Sequence, residues 1–160
     1  MKRILNILAS IIILGLAASC EKAPNVEVGI VGEWQLAEMT GYEASAVPAV
    51  YVEFTADKSF DIYQKVGDVS RFRKYSGTYA VAGSILTGEY KDGEDWGSAY
   101  RISFEAEGEV LVMTAVTLDE AGAVVSEGEV TKYVKGSLAQ EDKDAADIIT
   151  KSVESAVYFL

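Results

Sequence analysis

The sequence has no histidine, one cysteine and two prolines. Without histidine, the histidine-dependent serine and cysteine nucleophiles and the familiar zinc sites are excluded. With one cysteine no disulfide can form within the chain, so stability has to come from apolar burial and backbone hydrogen bonds. Positive charge is scarce as well: 14 basic residues face 25 acidic ones, for a net charge of −11. Such a field repels polynucleotides and anionic headgroups, so nucleic acid is not an expected partner. No cofactor or metal is expected either.

What is present is concentrated first at the beginning of the chain. Lys2 and Arg3 precede an apolar run from Ile4 to Leu16, broken only by Asn6, Ser10 and Gly15, and Ala17-Ala18-Ser19 then lead into Cys20. That is the order of an export signal. The thiol stands where it would take a diacylglyceryl group, with cleavage before it, as in a lipobox; Ala17 occupies the place where Leu is commonest, a relaxed form that resembles those of Bacteroidota. A transmembrane anchor is the alternative, but Ile4 to Ser19 is shorter than the roughly 20 residues that span a bilayer. Residues 1–19 are therefore read as a signal peptide, 20–28 as the lipidated cysteine and a tether containing Pro24, and 29–160 as one domain. The expected site is the outer membrane, held by lipid and facing the periplasm, because Glu21-Lys22-Ala23-Pro24 lacks an acidic run; surface display is the alternative.

Beyond the tether the dominant period is two. Trp34 and Leu36 alternate with Glu33 and Gln35, Val50, Val52 and Phe54 with Tyr51 and Glu53, and Phe60 and Ile62 with Asp61 and Tyr63. The pattern continues through Arg71–Val81, Ser84–Tyr90, Trp96–Ala106, Val110–Leu118 and Val124–Lys135. Gly67, Gly83, Gly93, Gly108 and Gly122 fall between these segments, where tight connections need them. Eight strands with links too short for parallel crossovers predict an all-β, antiparallel up-and-down barrel. After it, Ala145, Ile149, Val153, Ala156 and Leu160 recur at helical spacing, and Ser137 with Gln140 has the form of a capping box. A helix over Leu138–Ser155 is expected, lying on the outside of the barrel.

Gly32-Glu33-Trp34 at the head of the first strand resembles the G-x-W signature of lipocalins, in which the tryptophan plugs one end of the barrel. The run Glu53-Phe54-Thr55-Ala56-Asp57-Lys58-Ser59-Phe60 and the segment Ser76-Gly77-Thr78-Tyr79 are similar to those of small lipocalin-like lipoproteins of Bacteroidota. The resemblance spans Val31 to Ser137 and implies a lipocalin-like barrel with Gly32 and Trp34 at its plugged end. It also implies a basic residue of the last strand over the tryptophan, Lys132 or Lys135. The second lipocalin signature, a Thr-Asp-Tyr turn, is missing.

Trp34, Phe54, Phe60, Phe72, Tyr79, Tyr100 and Phe104 are the aromatics assigned to the interior. Of these Phe54, Phe60, Tyr79, Tyr100 and Phe104 are candidates to line a cavity for a small apolar ligand, with Arg71 and Arg73 at the rim gripping its polar end. The same rings could instead simply fill the barrel, and the two arginines could pair with neighbouring acids. Asp92-Gly93-Glu94-Asp95 lacks calcium-loop spacing and reads as a solvated turn. Glu105, Glu107 and Glu109, like Glu127 and Glu129, sit at spacing two, and nothing in the sequence brings either set to a cleft for carboxylate catalysis. Two functions follow: a lipid-anchored, non-catalytic binding or carrier module for a small apolar molecule, or a filled barrel that presents its exterior to another envelope protein. In either case Cys20→Ala should abolish incorporation of radiolabelled palmitate and release the protein from the membrane fraction. A wild-type protein that takes up no label would sink the lipid anchor.

Overall fold

The computed structural model describes residues 25–150 and Leu160. The export signal and Cys20 lie outside the described residues. Within them the chain opens with one helical turn, α1 (Val26–Gly29), inside the stretch read as tether; the Asn25 side chain accepts from the Glu27 amide and caps it. Eight antiparallel strands follow: β1 (Gly32–Met39), β2 (Ala49–Phe54), β3 (Ser59–Lys65), β4 (Arg73–Ala82), β5 (Ile85–Tyr90), β6 (Ala99–Glu105), β7 (Val110–Leu118) and β8 (Val124–Lys135). Each pairs with its sequence neighbour, and β1 pairs with β8 to close the ring. The result is the closed up-and-down barrel that the alternation predicts, with strand bounds within a few residues of those read from sequence.

Closure requires the strands to coil, and three breaks in register supply bends: one between Leu36 and Glu38 in β1, and two in β7, between Thr114 and Val116 and between Thr117 and Leu118. Inward positions carry the apolar residues. Trp34, Leu36, Val50, Val52, Phe54, Phe60, Ile62, Tyr75, Leu86, Ile102, Leu111, Met113 and Tyr133 are all buried in one core. Gly77 interrupts the inner face of β4 because a Cβ there would fall 2.1 Å from the Glu89 carbonyl oxygen and 2.7 Å from the Phe60 ring.

The seam between β5 and β6 is the exception to the regular ladder. The two strands pair only at Ile85–Arg101 and Leu86–Tyr100. Further along, the connecting loop folds back onto β5 instead: the Trp96 amide donates to the Gly88 carbonyl (3.0 Å) and the Tyr90 amide to the Glu94 carbonyl (2.8 Å). Trp96 is thereby carried inward over Gly88, where any Cβ would sit 2.2 Å from its ring. The sequence pattern had placed Trp96 at the head of a strand; that strand starts three residues later, at Ala99.

The segment after β8 departs further from expectation. The helix expected over Leu138–Ser155 is one short turn, α2 (Gln140–Asp144), and its N-cap is Ala139, with no side-chain cap. Gln140 bonds to Asp144 (2.8 Å) and takes no part in a capping box. The chain then turns extended as β9 (Asp147–Ile148), which adds in parallel to Arg73 and Lys74 of β4. The physical reason is an unsatisfied edge. β5 pairs with β4 only from Gly77 onward, so the Phe72 and Lys74 carbonyls are open, and they accept the Asp147 and Ile149 amides, each at 2.9 Å. Of the expected stripe, Ala145 is exposed and Ile149 packs half-buried against the core from extended backbone, so no helical stripe forms there; Val153, Ser155 and Ala156 lie outside the described residues.

Lys143 of α2 fastens this segment to the barrel wall. Glu33 and Glu53 stand directly opposite one another on β1 and β2, an unfavourable like-charge pair. The Lys143 ammonium bridges both carboxylates at 3.0 Å. Burial works against its charge, but the two carboxylate hydrogen bonds outweigh it and hold its pKa above the ordinary lysine value.

The Gly88–Trp96 contact gives a direct check of the seam. Gly88→Ala should destabilise the fold by about 1–3 kcal/mol through overpacking. The same substitution should cost little in a Trp96→Ala background, measured by urea unfolding. Equal costs in both backgrounds would mean that the indole does not lie on Gly88.

Candidate functional site

The barrel interior divides into two halves. At the end where α1 sits, Trp34 is fully buried and its Nε1 donates to the Ile30 carbonyl at 2.8 Å. The Lys135 ammonium lies 3.8 Å from the centre of the Trp34 ring, whereas Lys132 is turned to Glu105 at 2.9 Å. Gly32, at φ 138°, makes room for that cation, since a Cβ would come within 3.1 Å of it. Phe104 lies against Trp34 (6.1 Å between centroids) and under Gly29. Phe54 and Tyr79 meet edge to face at 5.1 Å, and the Tyr79 hydroxyl donates to the Thr55 carbonyl at 2.7 Å. This end is packed with rings in mutual contact.

Toward the other end the lining changes character. Phe60 meets Trp96 at 5.1 Å and Tyr90 at 5.6 Å, Tyr75 meets Tyr90, and Trp96 meets Tyr100. The phenols of Tyr100, Tyr75 and Tyr133 lie close enough to Tyr90 to add to its upward shift, and that of Tyr100 adds to the shift of Tyr133. Burial pushes the Tyr90 phenol well above its ordinary range, with Tyr100 and Tyr75 adding to it. Tyr133 is raised in the same way, Thr131 pulling weakly in the other direction. Tyr100 is pushed up to about 12 by burial and by the charge of Glu129. Two buried donors here, the Tyr133 hydroxyl and Trp96 Nε1, have no hydrogen-bond partner of good geometry among the described residues, although the Thr131 hydroxyl is near enough to Tyr133 to lower its pKa. The Thr131 hydroxyl, beside Tyr133, is directed at the Met113 carbonyl at 3.4 Å.

Of the residues picked from sequence as ligand contacts, the structure thus brings Phe60 and Tyr100 to one place, joined through Trp96. Phe54, Tyr79 and Phe104 sit at the Trp34 end, where their rings fill space. Arg73 follows the inward alternation of β4 at the rim, half-buried and opposite Gln64. Arg71 precedes the strand, is exposed, and faces Asp147 of β9 at 3.8 Å. Phe72, assigned to the interior from sequence, lies outside with Tyr51 and Lys65, because Arg73, Tyr75, Gly77 and Tyr79 take the inward positions and leave Phe72 on the opposite face. Glu105 and Glu127 are engaged with Lys132 and Arg101 on the outer surface.

Tyr90, Trp96 and Tyr133 were not singled out from sequence as contacts. For Trp96 a signal existed: a glycine inside a strand marks close approach of another group, and Gly88 receives the indole. Tyr133 was legible only as one more alternating residue of β8. Among the described residues there are also surface concavities of about 130 to 720 Å³. One of about 130 Å³ adjoins Tyr90 and is lined by Lys74, Lys91, Asp92 and Ile149.

A closed antiparallel barrel plugged by a tryptophan under a cation defines a binding-type scaffold, and comparison with known proteins agrees with that class. Residues 30–120 match the model of the lipocalin-like domain family, more than half of the chain. The chain belongs to that family. No curated protein matches it.

The buried phenols lend themselves to a titration. A folded state that keeps protons which the unfolded chain gives up above the ordinary tyrosine value of 10.0 loses stability as pH rises. Stability should therefore be full below pH 10 and fall toward pH 12. Phenolate absorbance should show exposed tyrosines ionising first, Tyr100 at about 12, and Tyr90 and Tyr133 only as the fold opens. A single step near 10 that accounts for all nine tyrosines would contradict the buried cluster.

Proposed function

We propose that this chain is a non-catalytic binding or carrier module of the cell envelope, anchored to the outer membrane by lipid on Cys20 and facing the periplasm. Its ligand is a small, mostly apolar molecule bearing hydrogen-bonding oxygens, held in the tyrosine-lined half of the barrel. The observation that carries this reading is the pair of buried donors without a well-placed partner among the described residues, Tyr133 OH and Trp96 Nε1. An unsatisfied buried donor costs about 1–3 kcal/mol. Two of them in an otherwise well-packed interior are what a site for oxygen-bearing ligands contains before it is filled. Arg73 at the rim is placed to take a carboxylate, and the rings of Phe60 and Tyr100 supply the apolar wall. The absence of histidine and the engagement of Glu105 and Glu127 in surface ion pairs support a role without catalysis.

A second reading is favoured by the ring contacts at the Trp34 end: the barrel is a filled scaffold whose exterior, including α2, docks another envelope protein. The two readings part on one substitution. Tyr133→Phe removes an uncompensated hydroxyl, so the ligand-free protein should melt at a higher temperature than wild type. Under the carrier reading the same variant should show a smaller thermal shift with whichever compound stabilises the wild type, in a screen of fatty acids, sterols, porphyrin-like rings and short glycans. No shift from any compound would favour the docking scaffold.

A further inference from the structure

Leu160 is buried at 3% exposure within the core formed by the barrel, and its carbonyl oxygen accepts a hydrogen bond from the Tyr90 hydroxyl at 2.9 Å. The barrel does not need this residue to close. Its eight strands close into a ring by Lys135, and the family match ends at residue 120. Before Leu160, Lys143 lies on the outer wall and the two-residue strand β9 is held by two backbone hydrogen bonds at the rim of β4. An aliphatic side chain next to a carbonyl oxygen, with that oxygen on a buried phenol, is the chemistry of an acyl group.

We propose that Leu160 occupies in cis a subsite for an aliphatic chain ending in an acceptor oxygen, beside Tyr90, so that a ligand enters only when Leu160 leaves. This rests on the carrier reading above. A protein whose competent state is a minor fraction binds more weakly by that fraction, and removing the internal competitor restores the intrinsic affinity. The cis contact then acts as a threshold against weak ligands.

Decanoate supplies the probe, an unbranched chain with a carboxylate, titrated calorimetrically into the full chain, a chain ending at Thr150, and full-length Leu160→Asp. The last keeps every residue and should not place a carboxylate in the apolar seat, so it guards against loss of fold in the truncated form. Both altered proteins should bind decanoate at least tenfold more tightly than the full chain. In a Cys20→Ser background, Leu160→Cys should react slowly with a thiol reagent, and faster when decanoate is saturating. Equal affinities in the three proteins, or a labelling rate that bound decanoate leaves unchanged, would overturn the cis competitor and leave the carrier reading standing. No binding by any of the three would sink the carrier reading for this ligand chemistry and the competitor with it.

Discussion

The incomplete ladder between β5 and β6 is the constraint on which the rest of this structure depends. Every backbone donor and acceptor in a buried sheet requires a partner, and beyond Leu86 β6 does not supply them to β5. The connecting loop does so in its place, and in folding back it drives Trp96 over Gly88 into the interior. The same short reach of β5 leaves the first residues of β4 unpaired on one side, and β9 takes up those carbonyls. One short strand thus decides both what fills the barrel and where the C-terminal segment runs.

The interior that results is asymmetric. Around Trp34 the chemistry is closed: the indole nitrogen has its carbonyl, the ring has its cation, and Tyr79 has a backbone acceptor. Around Tyr133 and Trp96 two donors are buried without a well-placed acceptor among the described residues. A low local dielectric makes satisfied polar groups strong and orphaned ones costly. The first half therefore stabilises the fold, while the second gives up stability at a place where a ligand's oxygen can recover it.

Electrostatics on the outer wall follow a similar logic. An acidic chain brings carboxylates into register, as at Glu33 and Glu53, and a cation from a distant segment relieves the pair. Lys143 is thus a reason for α2 to lie where it does, independently of any apolar face. From there the chain has a short path to the open edge of β4, and beyond β9 Leu160 reaches Tyr90.

Sequence by itself determined the number of strands, their order, their antiparallel sense and the plugged end. The strand count, order and sense depend on alternation with a period of two and on glycines at the links, local properties of the chain, while the plugged end followed from the resemblance of Gly32-Glu33-Trp34 to the lipocalin signature. It also showed that Phe60 and Tyr100 face inward. Phe72 is assigned inward there although strict alternation from Tyr79 puts the two on opposite faces, and the strand keeps that alternation. Sequence did not reveal the β5–β6 seam, the partnering of Lys143 with two opposed glutamates, or the replacement of a helix by β9 and a buried Leu160. Each of these is settled by which backbone groups and charges remain unpaired once the barrel has closed, a balance that exists only in the assembled sheet.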